Sequence, residues 1–503
     1  MAVRVLAGMA GASATLLTRL LLVPVYLRLL GVESFGLIGL YATLNAVSAV
    51  MDAGLSTAIN REIAQLSNQP GQESESRDVV RSLELVYIGV GIAVALALGV
   101  NATWFATHWL HVKTLSLPTV TLALVVMFFN FAMQWPDSLY SGALLGLHGH
   151  VPLNRIKIVV SITQGVVTVA LLWFWSPSII TFFVCSAAAS LSQTLLLRRS
   201  VWTRLPSAGA KARFRTDIWR RMWRFAAGTA AVGILGTILT QLDKLVLTKL
   251  LPLDQFGLYA LAVSTASATF ALAGPVVTAA FPELSRLAAK KDEEACSQFY
   301  HRTCQTQALL VVPLAALAFA FAPDILTLYF RDAKVAAGVS TVYRIFLIGS
   351  ALNALMAPAF SLQMAYGWTG LSAWKNVCAV AIYVPLLIVV VPRFGAIGTA
   401  SMWLAVNFGY VLFEIPLMHR KILPGAKQMF EWYAFDMLLP VAISASVAWV
   451  VWQGAPIAGA PIVRTLFGIG GGALALVGCA LALPQIHRAV RSQLARSFAV
   501  LRQ

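Results

Sequence analysis

Long apolar runs recur along the whole chain and are separated by short polar segments. Two examples are VYIGVGIAVALALGV (86–100) and TLALVVMFFNFAMQW (121–135). With their flanks, such runs reach the roughly 20 residues that an α-helix needs to cross the hydrocarbon of a membrane. The polar segments between them are too short to be soluble domains. The pattern therefore predicts a polytopic α-helical membrane protein.

The runs predict about fourteen transmembrane helices. The first is expected to be retained as a signal anchor, because Arg19 interrupts its apolar stretch and another span follows at once. The predicted spans are 5–30, 35–60, 82–105, 117–142, 153–175, 178–198, 224–250, 256–281, 303–322, 338–362, 370–391, 395–418, 434–452 and 462–483.

An internal repeat organises these helices. RLLGVESFGLIGLY (28–41) aligns with KLLPLDQFGLYALA (249–262) at an offset of 221 residues. Matched positions are Phe35 with Phe256, Gly36 with Gly257, and the acids Glu33 with Asp254. The offset of 221 residues contains six predicted helices. Because six is an even number, both copies of the repeat enter the membrane from the same side. The repeat is therefore parallel, with a pseudo-twofold axis along the membrane normal.

The predicted fold is an all-α integral membrane protein with two pseudo-symmetric six-helix lobes and two C-terminal helices. The predicted parts are an N-terminal lobe at 1–200, a basic cytoplasmic loop at 201–223, a C-terminal lobe at 224–422, two additional helices at 432–484 and a basic cytoplasmic tail at 485–503. Two similar lobes are a common basis for alternating access to a central cavity.

Composition supports a membrane protein, since 59% of the 503 residues are apolar and only 11% are charged. A soluble domain carries about a quarter charged residues. The net charge of +17 comes mainly from Lys and Arg in short segments between apolar runs. Such residues favour the cytoplasmic side, so both termini and the 198–224 segment are predicted to be cytoplasmic. Membrane topology explains the charge, and nucleic acid is not expected as a partner.

The five cysteines show neither CxxC spacing nor a neighbouring histidine cluster. Neither a metal site nor a disulfide framework is predicted. The sequence also lacks a phosphate-binding GxxxxGK[ST] loop. No cofactor is expected.

Four segments together resemble the polysaccharide exporter branch of the multidrug/oligosaccharidyl-lipid/polysaccharide (MOP) exporter superfamily, including Wzx-type O-antigen flippases. They are LLLVPVYLRLLGVESFGLIGLY (20–41), MDAGLSTAINREIAQL (51–66), QLDKLVLTKLLPLDQFGLYALAVST (241–265) and AAFPELSRLAAKKD (279–292). The resemblance implies a flippase in the cell inner membrane that moves an undecaprenyl-diphosphate-linked oligosaccharide from the cytoplasmic to the periplasmic leaflet. Ion-gradient drive is implied as well. Membrane lipid, a polysaccharide polymerase and chain-length machinery are the implied partners.

Two other functions compete with this one. A multidrug or lipid II exporter would share the fold. A membrane polysaccharide polymerase or O-antigen ligase belongs to a different class and is disfavoured, because every predicted outer loop is short. The chain is therefore expected not to be an enzyme.

A diphosphate needs cations on its route across the membrane. Charged side chains inside spans cost about 3 kcal/mol each and are functional candidates by default. Arg suits a diphosphate because its planar fork binds two oxygens at once. Arg19 is the deepest cation of the first predicted helix, and an ion pair with Asp52 is its alternative role.

The remaining candidates divide by expected role. A lumenal or substrate-binding role is weighed against interfacial anchoring or local ion pairing for Arg28, Asp52, Arg61, Asp243, Lys244 and Arg344. A cytoplasmic gate is weighed against interfacial charge pairing for Glu62 and Glu283. Ion coupling is considered for Asp137, which follows Pro136 at a predicted kink.

Overall fold

The computed structural model describes residues 2–52, 54–67, 69, 72–206, 212–271, 273–368, 370–456 and 460–487. Regular structure in these ranges is helical, apart from one isolated β-bridge between His111 and Pro252. The chain divides into two compact units, Met1–Ala260 and Leu261–Gln503. The division into two six-helix lobes stays a prediction.

The first unit contains nine helices within its described residues, and a tenth begins in it. These are α1 (Ala2–Asp52), α2 (Leu55–Leu66), α3 (Glu73–Val100), α4 (Ala102–Trp104), α5 (Leu117–Gln134), α6 (Pro136–Gly146), α7 (His150–Phe174), α8 (Ile179–Arg204), α9 (Thr216–Leu250) and α10 (Leu253–Ala271). A π-helical turn, Phe105–Trp109, follows α4.

The second unit continues with helices that include the C-terminal pair. These are α11 (Ala273–Lys290), α12 (Glu293–Ala320), α13 (Ala322–Phe330), α14 (Ala333–Ala365), α15 (Gly370–Ile422), α16 (Ala426–Glu431), α17 (Leu439–Gly454) and α18 (Pro461–Ala482). A π-helical segment, Trp432–Leu438, joins α16 to α17.

Ten helices among the described residues are long and apolar enough to cross a membrane. The all-α membrane fold is thereby confirmed, while the count of fourteen spans stays a prediction. Part of the difference arises because α15 covers both predicted spans at 370–391 and 395–418. The ten are Leu20–Ser48, Glu73–Val100, Leu117–Gly146, His150–Phe174, Ile179–Arg204, Glu293–Ala320, Ala333–Ala365, Gly370–Ile422, Lys427–Gly454 and Pro461–Ala482.

Two glycines bend the longest helices between predicted spans. Gly31 in α1 has φ 80° and Gly395 in α15 has φ 54°. Only glycine adopts such angles at little cost, because a Cβ would crowd the backbone. The chain therefore turns between two apolar runs at each position.

Helix α2 packs on α6 in the core of the first unit. Its apolar side chains Leu55, Ile59 and Ile63 repeat every four residues and are buried. Gly142 of α6 approaches so closely that a Cβ there would collide with the backbone of α2. This packing brings the end of α1 against α2, α3 and α6.

Helix α12 forms the centre of the core of the second unit. Cys296, Tyr300, Cys304 and Ala308 recur at the four-residue spacing of one helix face and are buried. The first three pack in a cluster with residues of α14 and α15 and with Trp432, and Ala308 packs against Leu355 of α14. Polar residues next to this face of α12 are therefore buried as well.

Candidate functional site

Asp52 closes α1 and is buried, with 7% of its surface exposed. Its carboxylate accepts hydrogen bonds from the hydroxyls of Tyr87, Ser138 (2.7 Å) and Ser56 (2.7 Å). The side chain of Arg19 lies outside the described residues, so an Arg19–Asp52 pair stays a prediction. Hydroxyl groups from three helices already bind this carboxylate.

Asp243 and Lys244 form a local pair in α9. The Lys244 Nζ lies 3.3 Å from Asp243 Oδ1 and donates to the carbonyl oxygen of Thr240 at 2.5 Å. The Tyr259 hydroxyl donates to Asp243 at 2.5 Å. These contacts match the local pairing that was the alternative to a lumenal role.

Glu62 takes part in an ion-pair network at the end of α2. Arg221 of α9 lies 2.6 Å from Glu62 and 3.1 Å from Glu75 of α3. One guanidinium therefore links three helices of the first unit. Arg28 and Arg61 are exposed, and Arg28 has no ion pair among the described side chains.

Glu283 is held by its own helix. Arg286, one turn further along α11, lies 2.6 Å from its carboxylate. Hydrogen bonds from this guanidinium lower the pKa of Glu283 and keep it ionised. The pair is exposed, so its contribution to stability is small. A gating role for Glu62 and Glu283 stays a prediction.

Arg344 and Asp137 are engaged by other parts of their own units. Arg344 donates to the carbonyl oxygens of Phe319 (2.9 Å) and Ala320 (3.4 Å) at the end of α12. Cations stabilise helix C-termini in this way. Asp137 accepts from Gln193 at 3.1 Å and lies 3.7 Å from Lys157. Each contact explains the residue structurally, and the functional roles stay predictions.

Sequence reasoning missed a buried carboxylate in the first unit. Glu84 of α3 is fully buried. Its oxygens receive hydrogen bonds from Arg198 Nε (2.5 Å), Arg81 Nη1 (2.8 Å) and the Tyr140 hydroxyl (2.7 Å). Two guanidinium groups therefore neutralise this charge permanently.

A second missed carboxylate, Glu414 of α15, has a lysine partner. Lys375 Nζ lies 2.6 Å from Glu414, and Gln363 Nε2 donates to the other oxygen at 2.8 Å. The structure therefore pairs Lys375 with a buried acid.

A third missed site joins α12 to the π-helical segment of the second unit. Asp436 accepts from His301 Nδ1 at 2.6 Å and from Gln305 Nε2 at 2.9 Å. The other ring nitrogen, His301 Nε2, lies 2.9 Å from Gln428 Oε1. Asp436 is 3% exposed and His301 2%. The described residues contain no group of three His, Cys, Asp or Glu able to hold a metal ion, so this cluster is a hydrogen-bonded pair rather than a metal centre.

A sequence signal for all three carboxylates existed. Glu84, Glu414 and Asp436 each fall inside a predicted span. An ionisable residue within a span is a functional candidate. The acids predicted as candidates were Asp52, Glu62, Asp137, Asp243 and Glu283, and these three carboxylates were not among them.

The repeated acids Glu33 and Asp254 hold one loop of the first unit. Glu33 accepts from the backbone N–H of Lys113 (2.5 Å), Thr114 (2.8 Å) and Leu115 (3.0 Å). Asp254 binds Lys113 Nζ at 3.0 Å. The loop after the π-helical turn is thus tied to both copies of the repeat.

The repeated glycines make a reciprocal contact. A Cβ on Gly36 would lie 2.5 Å from the carbonyl oxygen of Leu253, and one on Gly257 would collide with that of Val32. Leu253 and Gly257 are 221 residues beyond Val32 and Gly36. A contact that maps onto itself under the repeat offset is expected at a pseudo-twofold axis.

Comparison with known proteins decides the family. A family model described as "Polysaccharide biosynthesis protein" matches residues 25–333, more than half of the chain. The chain belongs to this family. A Shigella flexneri protein provisionally named an O-antigen transporter is 18% identical over 382 residues, covering 75% of this chain and 87% of that protein.

Solved structures similar to this family member share its fold. The lipid II flippase MurJ, in an inward closed conformation, superposes with a TM-score of 0.71 at 14% identity, covering 93% of this chain and 97% of MurJ. An inward-facing multidrug transporter of the MATE family of the MOP superfamily gives 0.66 at 12% identity, covering 82% and 94%. The resemblance to MOP polysaccharide exporters is confirmed. The family member is a multi-pass membrane transporter of the polysaccharide flippase type.

Proposed function

We propose that this transporter carries an undecaprenyl-diphosphate-linked oligosaccharide from the cytoplasmic to the periplasmic leaflet of the inner membrane by alternating access. The observation that carries the proposal is the family match over 25–333, joined by the O-antigen transporter relative that the chain covers for 87% of its length. Both termini are cytoplasmic in this proposal, as the Lys/Arg distribution predicts.

The charge pattern of the first unit supports an anionic substrate. Most cations described above are already neutralised or bound, as Arg198 is by Glu84 and Lys244 by Asp243. Arg28 differs, since it is exposed and lacks an ion pair among the described side chains. A guanidinium without an acidic partner near the end of a predicted span is available to a diphosphate. Arg19 remains the deepest cation of the same helix.

Deletion of the gene in its native host tests the proposed substrate. Loss of the transporter should trap the lipid-linked oligosaccharide in the cytoplasmic leaflet and abolish the surface polysaccharide. Spheroplasts would be treated with impermeant periodate, either intact or, as a control, after permeabilisation. The lipid would then be extracted and its sugars examined for oxidation. Trapped substrate is modified only after permeabilisation. Periplasmic exposure equal to that in wild-type cells would refute the proposal.

The same deletion separates the competing functions. Accumulation of lipid II with cell lysis would indicate a lipid II exporter. Increased drug sensitivity with an unchanged surface polysaccharide would indicate a multidrug exporter. Accumulation of single repeat units on the periplasmic side would indicate a polymerase or ligase. Each outcome contradicts the proposed function, and none is expected.

Substitutions at Arg19 test the diphosphate contact. If Arg19 attracts the substrate, the Lys variant should retain partial export, the Ala and Gln variants little, and the Glu variant none, all at normal membrane abundance. If Arg19 instead pairs with Asp52, Arg19→Ala should lower abundance and Asp52→Asn should restore it. Full export by a normally abundant Arg19→Glu protein would remove Arg19 from the translocation path.

A further inference from the structure

Three buried polar atoms of the second unit are among those that have no nitrogen or oxygen partner within the described residues. They are the Tyr300 hydroxyl, His419 Nε2 and Trp432 Nε1. The Tyr300 ring lies 5.2 Å from His301 and 5.9 Å from His419, measured between centroids. Tyr300 and Trp432 also belong to one core cluster of the second unit. The rings of Tyr300 and His419 therefore lie beside the titratable pair.

The hydrogen-bonding character of these atoms specifies what would satisfy them. His419 Nδ1 lies 2.9 Å from the carbonyl oxygen of Ile415, which can only accept. The neutral ring therefore carries its proton on Nδ1, and Nε2 is an acceptor. Trp432 Nε1 is a donor only. His419 Nε2 therefore needs a donor and Trp432 Nε1 an acceptor, because polar atoms buried this deeply are normally hydrogen-bonded.

The groups around the pair contain no Lys or Arg within ion-pair distance among the described residues. On the α16 side, Glu431 Oε2 lies 3.9 Å from His301 Nε2. On the α15 side, the His419 ring lies 6.3 Å from His301, and the nearby Glu414 is neutralised by Lys375. On α12 itself the neighbours are Tyr300 and Cys304. The charge of the pair is thus set by protons rather than by a fixed cation.

The backbone at Asp436 is unusual too. Trp432–Leu438 is π-helical and lies within a candidate membrane span. Such widened turns are rare and often occur at functional sites. Gln305, which binds Asp436, also accepts from the backbone N–H of Gln485 at 2.9 Å. His301 and Gln305 of α12 therefore contact the π-helical segment that precedes α17, and Gln305 also contacts Gln485 beyond α18.

We propose that His301 and Asp436 form a proton-binding site beside the rings of Tyr300 and His419. Binding of one proton converts a neutral imidazole beside a carboxylate, net charge −1, into an imidazolium–carboxylate pair of net charge 0. Within the membrane this change alters how strongly α12 holds the π-helical segment. Coupling of this step to transport rests on the proposed function, whereas proton binding itself does not.

Solid-state NMR of the full-length protein in lipid, labelled with ¹⁵N only in histidine, tests proton binding directly. The chain has seven histidines, and the His301 signal is identified by its loss in His301→Asn. In the wild-type protein, His301 should change protonation reversibly between about pH 5 and pH 8. Asp436→Asn should weaken proton affinity at least about tenfold, because the carboxylate stabilises the imidazolium.

Glu414→Gln is the matched control, since it removes another buried carboxylate of the same unit. It should leave the His301 titration unchanged. A His301 that keeps one protonation state across this range in the wild-type protein overturns the proposal, whether or not Asp436→Asn folds. An equal midpoint in wild-type and Asp436→Asn proteins also overturns it.

Export of the surface polysaccharide then tests coupling. Asp436→Asn at normal abundance should export at less than about a tenth of the wild-type rate and lose its response to a protonophore. Wild-type export with the protonophore response intact would overturn the coupling. Because the NMR titration needs no substrate, its result stands even if the deletion experiment refutes oligosaccharide transport.

Discussion

Two buried carboxylates, one in each unit, differ in the partners that hold them. Glu84 in the first unit is fully buried and receives hydrogen bonds from Arg81 and Arg198. Asp436 in the second unit is 3% exposed and is held by His301 and Gln305. Burial is nearly the same, so it does not explain the difference between the two sites.

The partner determines what each site can do. A guanidinium stays charged at every accessible pH, so Glu84 is fixed as an anion and binds α3 to α8 permanently. An imidazole gains and loses a proton near neutral pH, so the charge of the Asp436 site can change. A permanently paired carboxylate suits a static joint, and a titratable pair suits a step in a transport cycle.

Removing a fixed partner of Glu84 should have the largest effect on stability. Arg198→Met leaves a buried carboxylate with one guanidinium fewer, which should lower the free energy of unfolding by about 3 kcal/mol. Chemical denaturation in micelles measures it. The control is Arg199→Met, an exposed neighbour on the same helix. Addition of Glu84→Gln should restore part of the loss. Equal stability of the two Arg variants would show that Glu84 is not held electrostatically.

A second variant tests whether close packing at Gly36 stabilises the first unit. Gly36→Ala places a Cβ 2.5 Å from the carbonyl oxygen of Leu253, and overpacking of this kind costs about 2 kcal/mol. Gly257→Ala should cost a similar amount, because the contact is reciprocal. Gly89→Ala is the control, since open space surrounds Gly89. Variants at Gly36 that unfold like the Gly89 control would contradict close packing of the repeat.

Asp436→Asn should cost less stability than Arg198→Met, about 1 kcal/mol, because Asn keeps part of the hydrogen bonding without leaving a bare charge. Its effect on export should nevertheless be the larger of the two at equal abundance. The ratio of export to membrane abundance, measured for both variants, separates the sites. The comparison fails if both variants lose export only in proportion to abundance.

Lys113→Met should have the smallest effect. The ion pair between Lys113 and Asp254 is about half exposed, so its removal should cost at most about 0.5 kcal/mol. Glu33→Gln weakens the hydrogen bonds that the buried Glu33 carboxylate accepts from the backbone of the same loop. It should lower the free energy of unfolding more than Lys113→Met does. The same denaturation assay measures both. A larger loss of stability for Lys113→Met would show that the exposed ion pair, rather than Glu33, holds the loop.

Much of the fold follows from local features of the sequence. Apolar length predicts the spans, and the repeat at 28–41 and 249–262 predicts a pseudo-twofold axis, where reciprocal contacts such as Gly36 with Leu253 and Gly257 with Val32 are expected. The missed sites depend on contacts between residues far apart in sequence. His301 and Asp436 are 135 positions apart, and no local pattern indicates that they touch. Side-chain pairing of that kind is decided by helix packing, which periodicity does not specify.

The candidate charged residues also divide into those with a partner nearby in sequence and those with a distant one. Arg344 was predicted from its place inside a span, but the carbonyl groups it binds belong to the end of α12. A neighbouring helix end is invisible in the local sequence. Asp243 and Lys244, by contrast, are adjacent in the chain, and their local pairing could be anticipated.

Flipping by the purified transporter in proteoliposomes tests oligosaccharide transport most directly. Lipid-linked oligosaccharide from the deletion strain would be reconstituted with the protein, and the fraction reached by an impermeant oxidant in the outer leaflet would be followed over time. Substrate initially in the inner leaflet should become accessible at a rate proportional to the amount of wild-type protein. Accessibility that rises no faster than in protein-free liposomes would contradict the proposed function.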